Sequence, residues 1–144
     1  MNYFSRNPTY QIHQMEYTFL NILEIVIKLV VGLSILNVWL LNRNNKSQWR
    51  AGDATTMQEE FAVYGFPKNI MIIVGTLKCI FAVLLLISIF YPSNYFPSIE
   101  WIGAAGIAIL MAGAISMHFK VGDPAKKSLP AAIFLILSLL VIFI

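Results

Sequence analysis

Four apolar segments, each close to the length that crosses a bilayer, constrain this chain more than anything else in it. A hydrocarbon core needs about 20 predominantly apolar residues per helix. Residues 18–41, 69–91, 99–119 and 129–144 approach that length. In lipid a spanning segment must satisfy its own backbone hydrogen bonds, which for single runs of this kind means a helix. The expected fold is therefore all-α, an integral membrane four-helix bundle forming one domain over residues 1–144. Charge supports this, because Lys, Arg, Asp and Glu make up 12% of the chain. Soluble domains carry about twice that share, roughly 25%. A compact soluble enzyme, a disordered chain and, with Cys79 alone, a disulfide framework are all excluded. The first segment is not a removable signal peptide, since no basic stretch precedes it and no small-residue cleavage site follows before Asn42.

The basic residues give the direction. The loops after the first and third spans hold Arg43, Lys46, Arg50, Lys68, Lys120, Lys126 and Lys127, against Arg6 alone in the N-terminal arm and none in the second loop. The positive-inside rule places both basic loops in the cytoplasm and both termini outside. Such a small positive excess gives no reason to expect nucleic acid; the expected partner is the lipid bilayer. Tyr91, Tyr95, Phe96 and Trp101 read as an aromatic belt at the outer side, and Trp39 as its inner counterpart. Ser98 should cap the third helix, and Ser128 with Pro130 the fourth. Ala104, Ala108, Ala112 and Ser116 repeat every four residues beside Gly103, Gly106 and Gly113, which marks the third span as the most tightly packed.

The long inner loop carries its own signals. Thr56 and Glu59 have capping-box spacing, and Gly65 and Pro67 are stops, so a short amphipathic interfacial helix is expected over 57–64 in this first cytoplasmic loop. Met57, Phe61 and Tyr64 form its apolar stripe. That stripe either plugs the inner mouth of the bundle or serves as a lid or partner contact.

Ionisable groups within hydrocarbon are costly and point inward. Three occur, Glu24, Lys28 and Lys78, with Asn21 and Asn37 beside them on the first span. Glu24 and Lys28 are one helical turn apart in the favourable order for a pair, while Lys78 and Lys28 are both expected near mid-membrane, with Glu100 too near the surface to neutralise the second lysine fully. Either one lysine loses its charge, or one snorkels to an interface, or a bound anionic or carbonyl-bearing ligand completes the set. These five residues form the candidate intramembrane polar cluster for a ligand. His13 and His118 fall on opposite sides of the membrane with no second ligand near either, so no metal site is expected. No nucleophilic triad, phosphate loop or dinucleotide fingerprint is present, and catalysis by this chain alone is not expected.

The order of these motifs is similar to a known family. Arg50-Ala51-Gly52-Asp53-Ala54-Thr55-Thr56-Met57, then Glu59-Glu60-Phe61-Ala62-Val63-Tyr64-Gly65-Phe66-Pro67, Gly75-Thr76-Leu77-Lys78, His118-Phe119-Lys120-Val121-Gly122-Asp123-Pro124 and Ser128-Leu129-Pro130-Ala131 resemble the DoxX-like family of small bacterial membrane proteins, from about Leu20 to the end. The resemblance implies a four-helix bundle in the bacterial inner membrane. It also implies an accessory or quinone-binding subunit of a membrane redox complex, with an oxidoreductase as partner. Many relatives of this kind carry Glu in the second span where this chain has Lys78, which reverses the local charge. From the residues alone, the alternative function is a small proton-coupled transporter working as a homodimer through Glu24, although pairing with Lys28 would oppose proton exchange there.

Overall fold

The computed structural model describes residues 7–92 and 97–144. Its elements are α1 (Pro8–Leu36), which runs on into a wider π turn over Asn37–Leu41, α2 (Met57–Val63), α3 (Lys68–Ile87), α4 (Ile99–Lys120), a 3-10 turn over Ala125–Ser128, and α5 (Leu129–Phe143). No strand occurs among the described residues. Four helices are long and apolar enough to cross a membrane. They close into a ring in which α1 and α4 each pack against α3 and α5, and α2 lies against the start of α3. The all-helical bundle with a short loop helix is thus what forms.

Boundaries differ where hydropathy is a poor guide. The first helix begins at Pro8, not Thr18, because Asn7 accepts a hydrogen bond from the Thr9 N–H at 3.1 Å and Pro8 suits a first helical position. Polar residues before Thr18 do not oppose a helix; they only fail to look like membrane. Residues 8–22 are exposed on all sides, so this stretch projects beyond the bundle. The second span stops at Ile87, short of Tyr91. Ser98 caps α4 as expected, accepting from the Trp101 N–H at 3.1 Å. Ser128 makes no capping bond, because the 3-10 turn before α5 holds its backbone in a helical conformation. Of the outer aromatic belt, Tyr91 and Trp101 are exposed, whereas Tyr95 and Phe96 lie outside the described residues.

The small residues of α4 divide that helix into two halves. Gly103 meets the backbone of α3, where a Cβ would stand 2.9 Å from the Leu85 nitrogen. Ala104 and Ala108 are buried beside it. Further along, Ala112, Gly113 and Ser116 are exposed, and Gly113 and Ser116 line a cavity. The stripe is therefore close-packed at one end and parted at the other. Trp39, expected as an interfacial anchor, is buried instead, with its indole stacked on Gly75 of α3.

Helix α2 has the expected capping box. Glu59 N–H donates to Thr56 Oγ1 at 3.2 Å, and Glu59 Oε2 accepts from the N–H groups of Thr55 and Thr56. The Thr55 bonds hold the Glu59 carboxyl below its usual range. Met57, Phe61 and Tyr64 turn onto the bundle and are buried. Phe61 packs edge-on against Trp39 at 6.1 Å and Tyr64 at 5.9 Å, and also touches Phe66. The stripe closes the loop end of the bundle rather than resting on lipid.

Candidate functional site

A buried polar network sits under α2, built from residues distant in sequence. Arg50 lies in the long loop, and its guanidinium donates to the backbone carbonyls of Asn42 (3.2 Å), Arg43 (3.1 Å) and Asn45 (2.9 Å) and to Glu60 Oε2 (3.2 Å). A planar group with five donors can hold several acceptors at once. Here it stitches the exit of α1 to α2. Glu60 Oε1 accepts from the Ala51 N–H at 3.2 Å and from the Tyr64 hydroxyl at 3.0 Å. That hydroxyl also meets His118 Nε2 at 3.2 Å, and His118 Nδ1 meets Asp123 Oδ2 at 2.8 Å. Asp123 Oδ1 accepts from the Gly52 N–H at 3.0 Å, and Lys127 donates to the Gly52 carbonyl at 2.6 Å. Gly122, at φ +75°, lets the chain turn back so that Asp123 faces His118.

The Tyr64 hydroxyl has one proton and stands between Glu60 and His118. It donates to Glu60 Oε1, and the hydroxyl oxygen faces His118 Nε2, so one phenol joins the carboxylate of α2 to the imidazole of α4. Burial, followed by the Glu60 carboxylate, pushes the Tyr64 phenol above its ordinary value, so it stays a neutral hydrogen-bonding group. Burial works against the charged form of Asp123, yet its bonds to His118 and Gly52 and the nearby Lys127 hold it below the usual carboxylate range.

The network lines one side of a cavity of about 800 Å³ between α1, α3, α4 and α5. Val74, Met111, Ala131 and Phe134 supply apolar wall, and Asn37 and Lys78 are among its polar groups. Lys78 is half-buried, with its ammonium 5.3 Å from the centre of the Trp39 ring, a cation–π contact. It enters none of the ion pairs among the described residues.

The expected five-residue cluster comes apart. Lys28 is buried and pairs with Glu24 on its own helix and with Glu100 of α4 at 2.6 Å. Glu100 opens α4, so the Lys28 ammonium reaches that helix's first turn, at the end away from the long loop. Glu100 does neutralise a lysine, and that lysine is Lys28. The surplus ammonium belongs to Lys78 alone. Asn21 is exposed on the projecting part of α1, while Asn37 lines the cavity and accepts from Asn42 Nδ2 at 3.0 Å.

Arg50, Glu60, His118 and Asp123 escaped the sequence reading. For Glu60 a signal was present, since it is three residues after Met57 and four before Tyr64, on the stripe itself. His118 has two carboxylates nearby, Asp123 and Glu60, the latter at 3.9 Å. Even so, no group of three or more His, Cys, Asp or Glu among the described residues is placed to hold a metal ion.

A family model described as the DoxX-like family matches residues 46–141. The matched stretch holds Arg50, Glu60, Tyr64, Lys78, Glu100, His118 and Asp123, and it starts after α1. No curated protein and no solved structure matches the chain. With about two-thirds of its length matched, carrying the charged and aromatic side chains of the loop-end network, this chain is an integral membrane protein that belongs to the DoxX-like family.

Proposed function

We propose that this protein is an accessory, ligand-binding subunit of a membrane redox complex, holding a lipid-soluble molecule with a polar carbonyl head, such as a quinone, in the cavity under α2. The observation that carries the reading is Lys78, an ammonium at membrane depth that borders a largely apolar cavity with no carboxylate paired to it. A charge there is costly unless it meets a partner, and a carbonyl or anionic head supplies one. Pockets for such molecules are mostly apolar with a few placed polar groups, and about 800 Å³ lies within their usual size. Helix α2, with Met57, Phe61 and Tyr64 turned inward, acts as the lid, and its outer face is where an oxidoreductase partner docks. The basic loops face the cytoplasm of a bacterial cell, and both termini lie outside its inner membrane. Transport through Glu24 draws less support, because Lys28 already binds Glu24 and shares Glu100 with it.

Titration of the detergent-solubilised protein with a short-chain quinone, followed by tryptophan quenching, tests the reading. Saturable quenching is expected, weakened roughly tenfold in Lys78→Met, as fits loss of one hydrogen bond from a charged donor. Quenching that is linear in quinone, or equal in the variant, overturns it. Mass spectrometry of molecules extracted from gently purified protein then identifies the natural occupant.

A further inference from the structure

A second hollow, of about 510 Å³, lies between α1 and α3 on the other side of Trp39 from the central cavity. Its walls are membrane-facing, since Leu40, Ile72 and Ile80 are all exposed. At membrane depth the surrounding solvent is acyl chains, so an apolar groove open to lipid is filled by one. The head group that chain carries depends on what stands at the ends of the two walls.

The register of both helices answers this. On one side the groove follows Leu36 at the end of α1, Leu40 of the π turn and Arg43 just beyond it. Along α3 it follows Ile72, Thr76 and Ile80, and Lys68 stands one turn before Ile72 on the same face, at the same end. Each wall thus finishes in a cation at the loop end. The Arg43 carbonyl accepts from the Met57 N–H at 2.8 Å and from Arg50 at 3.1 Å, which pins its backbone at the rim. Neither Arg43 nor Lys68 enters an ion pair among the described residues. Of the acids at this end, Glu59 is held by Thr55 and Thr56, Glu60 by Arg50, and Asp123 by Gly52 and His118, while Asp53 is exposed in the loop and forms no ion pair with Arg43 or Lys68. We infer that the groove is a binding site for an anionic phospholipid, with one acyl chain between α1 and α3 and the phosphate of its head group against Arg43 and Lys68.

The test is native mass spectrometry of the protein released from nanodiscs of equal phosphatidylglycerol and phosphatidylcholine. Retained lipid should be enriched in phosphatidylglycerol, and Arg43→Gln or Lys68→Gln should each lower that enrichment about fivefold, the usual worth of one basic residue at an anionic surface. Lys126→Gln, an exposed cation at the same end, should leave it unchanged, as should Lys78→Met, which separates this site from the ligand cavity. Equal retention of the two lipids by the wild-type protein overturns the assignment, and so does a loss in Lys126→Gln as large as in Arg43→Gln. Should the charge variants fail to purify, a protein with Trp49 and Trp101 replaced by Phe keeps Trp39 as reporter beside the groove. Brominated-chain phosphatidylglycerol should quench it more strongly than the brominated choline lipid, and equal quenching counts against the site.

Discussion

Among the described residues, each end of the bundle buries one Lys or Arg, and the two are held in different ways. At the end away from the long loop, Lys28 sits between two carboxylates, Glu24 and Glu100, which are themselves partly exposed. At the loop end, Arg50 has one carboxylate, Glu60, and three backbone carbonyls. The first arrangement is a point charge between counter-charges that keep part of their surface exposed. It fastens α1 to α4 and leads nowhere. The second is a planar donor set that builds a loop, and its carboxylate passes on through Tyr64 to His118 and Asp123. A cation neutralised by charge ends its network, whereas one satisfied largely by carbonyls leaves its carboxylate with acceptor capacity to extend it.

That contrast sets the order of expected effects. Arg50→Met should be the most damaging change, lowering stability by about 3 kcal/mol in detergent thermal melts, since it strands buried Glu60 and three carbonyls together. Lys28→Met should cost less, about 1 kcal/mol, because Glu24 and Glu100 can turn to water. Equal losses at the two ends would erase the distinction. The Asp123 link comes next, and its effect depends on pH. Its carboxyl is held below the ordinary value in the folded protein, so the stability it contributes is present above about pH 4 and is lost as pH falls through the lowered folded value. The protection factor of the Gly52 amide, the exchange rate of the unfolded chain over its own at the same pH, should therefore fall below that pH, and a protection factor that does not change there would detach Asp123 from the network. The smallest effect is spectroscopic. Tyr64, held above its ordinary value by burial and then by Glu60, should be missing from the tyrosinate absorbance that develops near pH 10. A Tyr64→Phe variant that loses amplitude at that pH would show the phenol to be exposed.

The fold was readable because its signal is local. Span length, the capping box at Thr56 and Glu59, and the cap at Ser98 each rest on residues within a few positions of one another. Trp39 was misplaced because an aromatic near a span end looks the same whether it faces lipid or a glycine on the next helix. The projecting start of α1 was missed because hydropathy measures fitness for lipid, not helicity. The site was readable only in part. Lys78 stands out as a charge in an apolar run, and Asn37 was included with it, but Glu60 hides on an apolar stripe, and His118 looks isolated until Gly122 turns Asp123 towards it.

By itself, then, the sequence determined the solvent, the number of crossings, the loop helix and the presence of buried charge, because each follows from transfer energy and spacing along one chain. Beyond the Glu24–Lys28 pair, which is one helical turn long, which charge meets which partner was decided by the tertiary structure. Lys28 finds Glu100 across 72 positions, and Lys78 finds none. Pairing depends on which helix faces are neighbours and at what height, and that is fixed by packing at contacts such as Gly103 on α3, where the missing Cβ sets how closely two helices approach.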